Sequence, residues 1–291
     1  MALYKKLIRC TFALVFIIYR TMKKCIATVV FSLMACMGMY AKDYYELVDS
    51  AEICIQEKEW GRAESFIKEA LKLQPDNFNN SLLLSNLATV QRYQGRNEEA
   101  LKNYSIALFM TPNAVTLLKN RASLYLDMDS IDKAYADYDR VLELDDMDIE
   151  ALYNHGVLAL EKKEMEASKE DFDKIKRISP NSYFAYNGLA MWNKANGNYP
   201  TAISLYGTII KERPSVNAIA NRAECLLELK QLNNAEKDIK DALSMEPTNG
   251  FLYLLRARLN KLRFESDAVQ RDINLAKQYG VDESVIMEVL K

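Results

Sequence analysis

The sequence predicts an all-α fold built from repeated helical hairpins. A 34-residue period runs from Tyr44 to about Glu283 and occurs seven times. Within each copy, apolar residues recur at intervals of three and four, which is typical of amphipathic helices. A polar turn containing Gly, Asn or Asp separates the two helices of a copy. A period of this length predicts a stack in which each hairpin covers the apolar face of its neighbour.

The clearest copy spans residues 81–114 and places small residues where its two helices would cross. Ala88 and Ala100 occupy its eighth and twentieth places, and Pro112 occupies the thirty-second. Small side chains allow two helix axes to approach closely, whereas proline ends the second helix because it lacks an amide hydrogen. The predicted copies are residues 44–77, 81–114, 115–148, 149–182, 183–215, 216–249 and 250–283, and residues 284–291 are predicted to form a capping helix.

This pattern resembles the tetratricopeptide repeat family over residues 44–283. The same places in other copies hold Ala51, Ala63, Ala70 and Pro75; Ala122, Ala134 and Tyr138; Ala190, Ala202, Tyr206 and Pro214; and Ala223, Ala235, Ala242 and Pro247. The resemblance implies a right-handed superhelical solenoid whose first helices line a concave inner wall. One departure is Ser168, which replaces the alanine of the twentieth place, and another is the insertion of residues 78–80.

Residues 1–41 predict a targeting segment, since they hold six basic residues, no acidic residue and two apolar runs. Met22 with two following lysines, the apolar stretch Cys25–Tyr40 and the small Ala41 have the form of a cleavable export signal. Met22 is therefore the predicted initiator. A retained membrane anchor is the alternative, but the basic residues divide the segment into runs of about ten and sixteen residues, shorter than a span of roughly 20.

Cys36 leaves a second route of export open. The stretch Leu33–Cys36 resembles a bacterial lipoprotein signal, in which the cysteine is lipidated and becomes the first residue of the mature chain. Otherwise Cys36 is one more apolar residue of the signal core. Either route predicts an exported protein of the bacterial periplasm or outer membrane.

Removal of the leader leaves an acidic chain. Six of the 38 basic residues lie in residues 1–41, so 32 basic residues face 40 acidic ones and the formal charge is −8. Nucleic-acid binding requires Lys and Arg to neutralise phosphates, so a nucleic-acid partner is not expected.

The sequence carries no motif for catalysis, a cofactor or a metal. His155 is the single histidine, so a histidine metal site cannot form, and we expect this residue to pack in the repeat. No cysteine pair has zinc spacing, and no phosphate-binding loop or nucleophile elbow is present. We therefore expect a protein without enzymatic activity and without a cofactor.

The resemblance also implies a binding groove formed by exposed places of the first helices. The sixth place is asparagine in four repeats, and each amide offers one acceptor and two donors. Such a ladder would hold the backbone of an extended peptide; the alternative is a local hydrogen bond between helices. The predicted groove residues are Asn86, Asn120, Asn154, Asn221, Lys119, Arg92, Tyr93, Tyr153 and Phe184.

The resulting prediction is a protein-interaction scaffold or assembly adaptor of the cell envelope that binds a peptide or a partner subunit. Two alternatives stay open: a self-assembling structural protein with an empty groove, and an accessory subunit of an envelope enzyme complex. Lys119, Asn120 and Asn154 match parts of the carboxylate clamp of chaperone-binding family members. Ser123, however, stands where that clamp needs asparagine, so the clamp is not expected.

Overall fold

The computed structural model of the chain describes residues 43–290, which fold as successive antiparallel helices. This part of the chain contains fifteen α-helices and no strand. The leader prediction for residues 1–41, with Met22 and Cys36, lies outside the described residues. The helices are α1 (Tyr44–Gln56), α2 (Trp60–Leu73), α3 (Asn80–Tyr93), α4 (Asn97–Met110), α5 (Val115–Asp127), α6 (Ile131–Leu144), α7 (Ile149–Glu161), α8 (Met165–Ile178), α9 (Tyr183–Ala195), α10 (Tyr199–Glu212), α11 (Val216–Glu228), α12 (Leu232–Met245), α13 (Gly250–Leu262), α14 (Ser266–Gln278) and α15 (Glu283–Val289).

The described residues divide into two compact units, residues 43–107 and 108–290. Unit 1 contains α1–α3 and most of α4, and unit 2 contains α5–α15. The all-helical repeat class predicted from the sequence is confirmed. The residue bounds of the individual repeats stay a prediction.

Several helices begin at side chains that satisfy free backbone amides. Asp43 forms a capping box at α1, accepting a hydrogen bond from the Glu46 amide at 2.8 Å, while the Glu46 carboxylate accepts one from the Asp43 amide. Asp148 caps α7 with one side-chain hydrogen bond, which its carboxylate accepts from the Ala151 amide at 2.9 Å. These oxygens satisfy donors that the first turn of a helix leaves unpaired.

A left-handed residue closes the turn inside each of the first seven hairpins. In the second hairpin, Gly95 has a φ of 76° and the Arg96 amide donates to the Gln91 carbonyl at 2.9 Å. This hydrogen bond, from an amide to the carbonyl five residues earlier, satisfies a carbonyl at the end of the first helix. The chain reverses its direction at this turn. The equivalent residues are Lys58, Asp129, Lys163, Gly197, Lys230 and Phe264.

Small residues lie buried where the two helices of a hairpin cross. In unit 2, Ala122 on α5 faces Ala134 on α6, and both are fully buried. Their small size brings the two backbones together and lets larger side chains interlock around them. The fully buried Ser168 of α8 occupies the equivalent place in the fourth hairpin.

The core of unit 1 joins its first three helices. Leu47 from α1, Ile67 from α2 and Leu87 from α3 belong to one buried apolar cluster. Asn80 at the start of α3 is buried beside it, where its amide donates to the Gln74 and Pro75 carbonyls and its oxygen accepts from the Tyr44 hydroxyl.

The core of unit 2 continues through its helices as several apolar clusters and ends at α15. Ile286 of α15 is buried against Leu254 of α13 and Ala276 of α14. The last helix therefore covers an apolar surface that no further hairpin of the described chain covers. None of the helices between residues 43 and 290 is long and apolar enough to span a lipid bilayer.

Candidate functional site

The predicted groove residues all lie on first helices of the hairpins. Unit 1 carries Asn86, Arg92 and Tyr93 on α3. Unit 2 carries Lys119 and Asn120 on α5, Tyr153 and Asn154 on α7, Phe184 on α9 and Asn221 on α11.

In unit 1, Tyr93 presents an aromatic surface to solvent. Its side chain is 65% exposed, and its ring stacks on Trp60 with centroids 4.6 Å apart and an interplanar angle of 9°. Asn86 and Arg92 on the same helix are half-buried. The stacked pair holds an exposed ring in a fixed position, which suits it for contact with another chain.

In unit 2, the asparagines of the ladder differ in their hydrogen bonding. Asn120 and Asn154 are half-buried, and neither side chain has a hydrogen-bond partner among residues 43–290. Asn221 is engaged, because its amide donates to the Asn217 carbonyl and its oxygen accepts from Lys194, each at 2.9 Å. The predicted local hydrogen bond is thus found at Asn221, whereas Asn120 and Asn154 retain free donors and acceptors.

The positive charge of Lys119 is balanced by two carboxylates of the same protein. Its ammonium group lies 2.9 Å from the Asp148 carboxylate and 2.7 Å from that of Glu150. Burial by itself would lower the pKa of Lys119, but the hydrogen bonds and charges of these two carboxylates outweigh it, and the pKa is raised. Because Asp148 also caps α7, the lysine joins α5 to the start of the next hairpin.

Side chains of α7 and α9 form an aromatic and apolar surface. The rings of Tyr153 and Phe184 are 5.0 Å apart, and Phe184 is 38% exposed. The Asn187 amide donates to the Tyr153 hydroxyl at 2.6 Å, and the Met191 sulfur lies 3.8 Å from that hydroxyl. These contacts hold the Tyr153 ring in place, and the side-chain amide of Asn187 is already used as a hydrogen-bond donor.

The asparagine ladder is interrupted at α9 for a packing reason. Gly188 occupies the sixth place there, and a Cβ atom on it would lie 2.3 Å from Cδ1 of Phe172. Gly156 on α7 meets the same ring, with a Cβ distance of 2.8 Å. Phe172 of α8 is fully buried, so its ring takes the space that an asparagine would need.

A cavity of about 340 Å³ opens next to this surface, between α7, α9 and α11. Leu160, Met191, Ala195 and Cys225 supply its apolar walls, and Lys194, Tyr199, Asn221, Glu224 and Glu228 supply its polar ones. Most of these side chains come from the ninth, twelfth and thirteenth places of first helices. A repeat pattern does not show that residues of these three helices line one cavity, because their distances depend on how the hairpins stack.

His155 was predicted to be a packing residue, and it is buried, but it is also strongly hydrogen-bonded. Its Nδ1 lies 2.6 Å from Asp171 and its Nε2 lies 3.1 Å from Asp139, while its ring stacks on Tyr135 at 4.1 Å. Burial would lower the pKa of His155, yet the hydrogen bonds and charges of the two aspartates outweigh it and raise the pKa.

Charged pairs between the two helices of a hairpin occur at equivalent places in three other repeats. Each joins a basic residue of the first helix to an aspartate sixteen residues later. The pairs are Arg121–Asp137, Arg222–Asp238 and Arg256–Asp272. A 16-residue offset between Arg or His and Asp was the sequence signal for this feature, and the sequence analysis had missed it.

The repeats match known proteins both in sequence and in structure. Residues 85–146, 119–183 and 216–249 match models of the tetratricopeptide repeat. The crystal structure of a tetratricopeptide repeat protein from Parabacteroides merdae is similar, with 31% sequence identity and a TM-score of 0.76, over 85% of this chain and 97% of that one. The chain belongs to the tetratricopeptide repeat family. Tetratricopeptide repeat proteins act as protein-interaction scaffolds, and the predicted resemblance is confirmed.

Two named relatives share the repeats with lower identity. Protein O-mannosyl-transferase TMTC3 of Homo sapiens is 28% identical over 184 residues, which cover 62% of this chain and 20% of the relative. Mitochondrial import receptor subunit TOM34 of Pongo abelii is 25% identical over 233 residues, which cover 65% of this chain and 74% of the relative. The chain therefore spans a fifth of the transferase and about three quarters of the import receptor subunit.

Proposed function

We propose that this protein is a non-catalytic interaction scaffold or assembly adaptor of the cell envelope, and that it holds an extended segment of a partner protein along α5, α7 and α9. The observation that carries the proposal is the pair of free amides at Asn120 on α5 and Asn154 on α7, with the exposed ring of Phe184 on the next first helix, α9.

The free amides suit a peptide backbone. A half-buried amide group without a protein partner can form hydrogen bonds with a peptide N–H or C=O group, and these bonds stabilise the complex. Asn120 and Asn154 occupy the same place in consecutive repeats, so both can contact one extended segment. Aromatic rings such as Phe184 then add apolar contact area for its side chains.

Two basic side chains along the groove are already paired with carboxylates of this protein. Lys119 is held by two carboxylates, and Arg258 on α13 lies 2.6 Å from Glu228. These cations are not available to grip a free carboxylate, so the carboxylate clamp is not part of the proposal. The relative named an import receptor subunit also supports a role within a protein assembly.

The test compares a groove variant with a matched amide variant in the full chain. We expect Asn120→Ala combined with Asn154→Ala to weaken binding of a captured partner at least tenfold, measured by isothermal titration calorimetry. Asn234→Ala combined with Asn274→Ala removes two exposed amides from second helices and should leave the affinity unchanged.

Equal affinities for the wild type and the groove variant would contradict the proposal. Light scattering supplies the second measurement: the free protein should be a monomer at all concentrations. A dimer that dissociates in the groove variant would instead show that a second copy of the chain fills the groove, as the self-assembly alternative requires.

A further inference from the structure

The cavity between α7, α9 and α11 combines an apolar interior with a polar rim. Leu160 and Met191 are half-buried at its apolar side, and Cys225 is fully buried behind it. Burial raises the pKa of the Cys225 thiol to about 11, so the thiol is neutral near pH 7 and behaves as a small apolar group. The interior therefore suits the methylene groups of a long side chain.

Two carboxylates of the rim each keep one free oxygen. One oxygen of Glu224 is bound by Lys194, and Oε1 of Glu228 is bound by Arg258 at 2.6 Å. Oε1 of Glu224 and Oε2 of Glu228 have no hydrogen-bond partner within residues 43–290. Since a carboxylate accepts several hydrogen bonds, both groups can bind an additional donor.

The cation of the rim is already paired with a carboxylate. Lys194 binds Asn221 at 2.9 Å as well as Glu224. Tyr199 is half-buried at the same rim, and burial, followed by the charge of Glu228, raises its pKa. The rim thus offers two carboxylate oxygens as acceptors, and an aromatic ring lines the same cavity.

Resting on the proposed groove function, we infer that this cavity binds the side chain of a lysine or arginine of the partner segment. The aliphatic stem lies along Leu160 and Met191, as such stems do on apolar surfaces. The charged head donates hydrogen bonds to the free oxygens of Glu224 and Glu228, and the Tyr199 ring adds a cation–π contact. The formal charge of −8 outside residues 1–41 favours the same kind of partner.

The test uses four capped, fluorescein-labelled peptides of sequence Ala-Ser-Ala-X-Ala-X-Ala-Ser-Ala. X is lysine, arginine, norleucine or glutamate, and alternate residues of an extended peptide face the same side. Fluorescence anisotropy with the full chain in 150 mM salt should show at least tenfold tighter binding of the lysine and arginine peptides than of the norleucine peptide. Norleucine keeps the apolar stem without the charge.

Variants that neutralise carboxylates test whether the preference for the lysine peptide arises at this cavity. Glu224→Gln combined with Glu228→Gln should remove the preference for the lysine peptide over the norleucine peptide. Glu166→Gln combined with Glu212→Gln neutralises two exposed carboxylates of second helices and should preserve the preference. If this control also removes it, the attraction depends on overall charge and the inference is wrong.

The inference and the proposed function fail in different ways. Equal binding of the lysine and norleucine peptides, still lost in the Asn120→Ala, Asn154→Ala variant, would overturn the lysine pocket and support the groove. Tighter binding of the norleucine or glutamate peptide would also overturn the pocket. Absence of measurable binding by all four peptides would count against both.

Discussion

Two hydroxyl groups of unit 2 are buried without a hydrogen-bond partner. They are Oγ of Ser168 on α8 and the hydroxyl of Tyr206 on α10, and both residues are fully buried. A buried polar group without a partner loses its hydration and gains nothing in return. Ser168 stands at a place where five other repeats have alanine, so its hydroxyl is a local cost to stability.

We predict that Ser168→Ala stabilises the protein by about 1 to 2 kcal/mol, because it removes an unsatisfied hydroxyl and improves helix propensity. The measurement is the free energy of unfolding in urea. Ser204→Ala on the exposed face of α10 is the matched control, and it should give only the smaller propensity gain, about 0.5 kcal/mol. Equal effects of the two changes would show that burial of the Ser168 hydroxyl costs nothing.

His155 is a titratable member of a set of charged pairs. It occupies the place held by Arg121, Arg222 and Arg256 in other repeats, and it binds Asp171 sixteen residues later, as they bind their aspartates. Arginine stays charged at all ordinary pH values, whereas a histidine changes charge near neutrality.

We predict that stability falls as the pH rises from about 6 to 9. The folded-state pKa of His155 is raised, so its contribution is fully present below the unfolded pKa of about 6.5 and is lost as the pH rises through the folded pKa. The expected result is a decline in the free energy of unfolding over this pH range, because the raised pKa means that the folded state holds the proton more tightly than the unfolded state does.

His155→Arg is the matched variant for this prediction. It keeps a positive charge beside Asp171 and should remove the decline in the free energy of unfolding over this pH range. A decline of the same size in the variant would assign the pH dependence to other groups.

At the scale of helices, one aromatic ring sets the spacing of α7 and α9. Phe172 on α8 contacts the positions of Gly156 on α7 and Gly188 on α9, and both lack the room for a Cβ atom. Because Phe172 is fully buried, its ring cannot move without disturbing neighbours. The two glycines are therefore steric requirements of this aromatic residue.

We predict that Gly188→Ala destabilises the protein by about 1 to 3 kcal/mol, because the added methyl group overpacks the core against Phe172. Gly207→Ala is the control within α10, where the new Cβ would lie 3.7 Å from the nearest atom, in Arg222. It should stabilise the helix by about 0.5 to 1 kcal/mol. Thermal unfolding monitored by circular dichroism measures both, and the same sign for the two variants would contradict the steric argument.

At the scale of the molecule, consecutive repeats of unit 2 are joined by burial and by polar bridges. Lys119 reaches the cap of the next hairpin, and Lys194 and Arg258 connect α9 and α13 to α11. Partly exposed ion pairs contribute about 0 to 1 kcal/mol each. Burial of apolar surface between hairpins stabilises the stack by roughly 25 cal/mol per Å² and contributes more than the ion pairs do. The bridges mainly determine which charged groups of the predicted groove are already paired.

The leader prediction concerns the whole chain and has a direct measurement. Mass spectrometry of protein expressed from the full sequence in a Gram-negative bacterium should detect a first residue of Lys42, after cleavage behind Ala41, or an acylated Cys36. A chain that retains residues 22–41 would contradict cleavable export. Lys23→Glu combined with Lys24→Glu should reduce processing, because it removes the positive start of the signal.

The sequence alone determined the fold class and the order of the elements. Repeat places such as Ala88 and Ala100 are local requirements of one hairpin, and most copies have a small residue at the same two places. A helical-repeat fold has few contacts between distant parts of the chain, so local pattern and nearest neighbours decide most of it. For the same reason, the sequence also placed the groove residues on first helices.

Only the tertiary structure decided which groove groups are free and which are occupied. Asn120 and Asn221 look alike in the sequence, yet Lys194, from another helix, occupies Asn221. Gly188 breaks the asparagine ladder because of a ring on α8. These outcomes depend on the distances between side chains of different helices, which a repeat pattern does not specify. The residues of one repeat specify the geometry of its hairpin. Whether a polar side chain is free to bind a partner depends on how neighbouring hairpins stack.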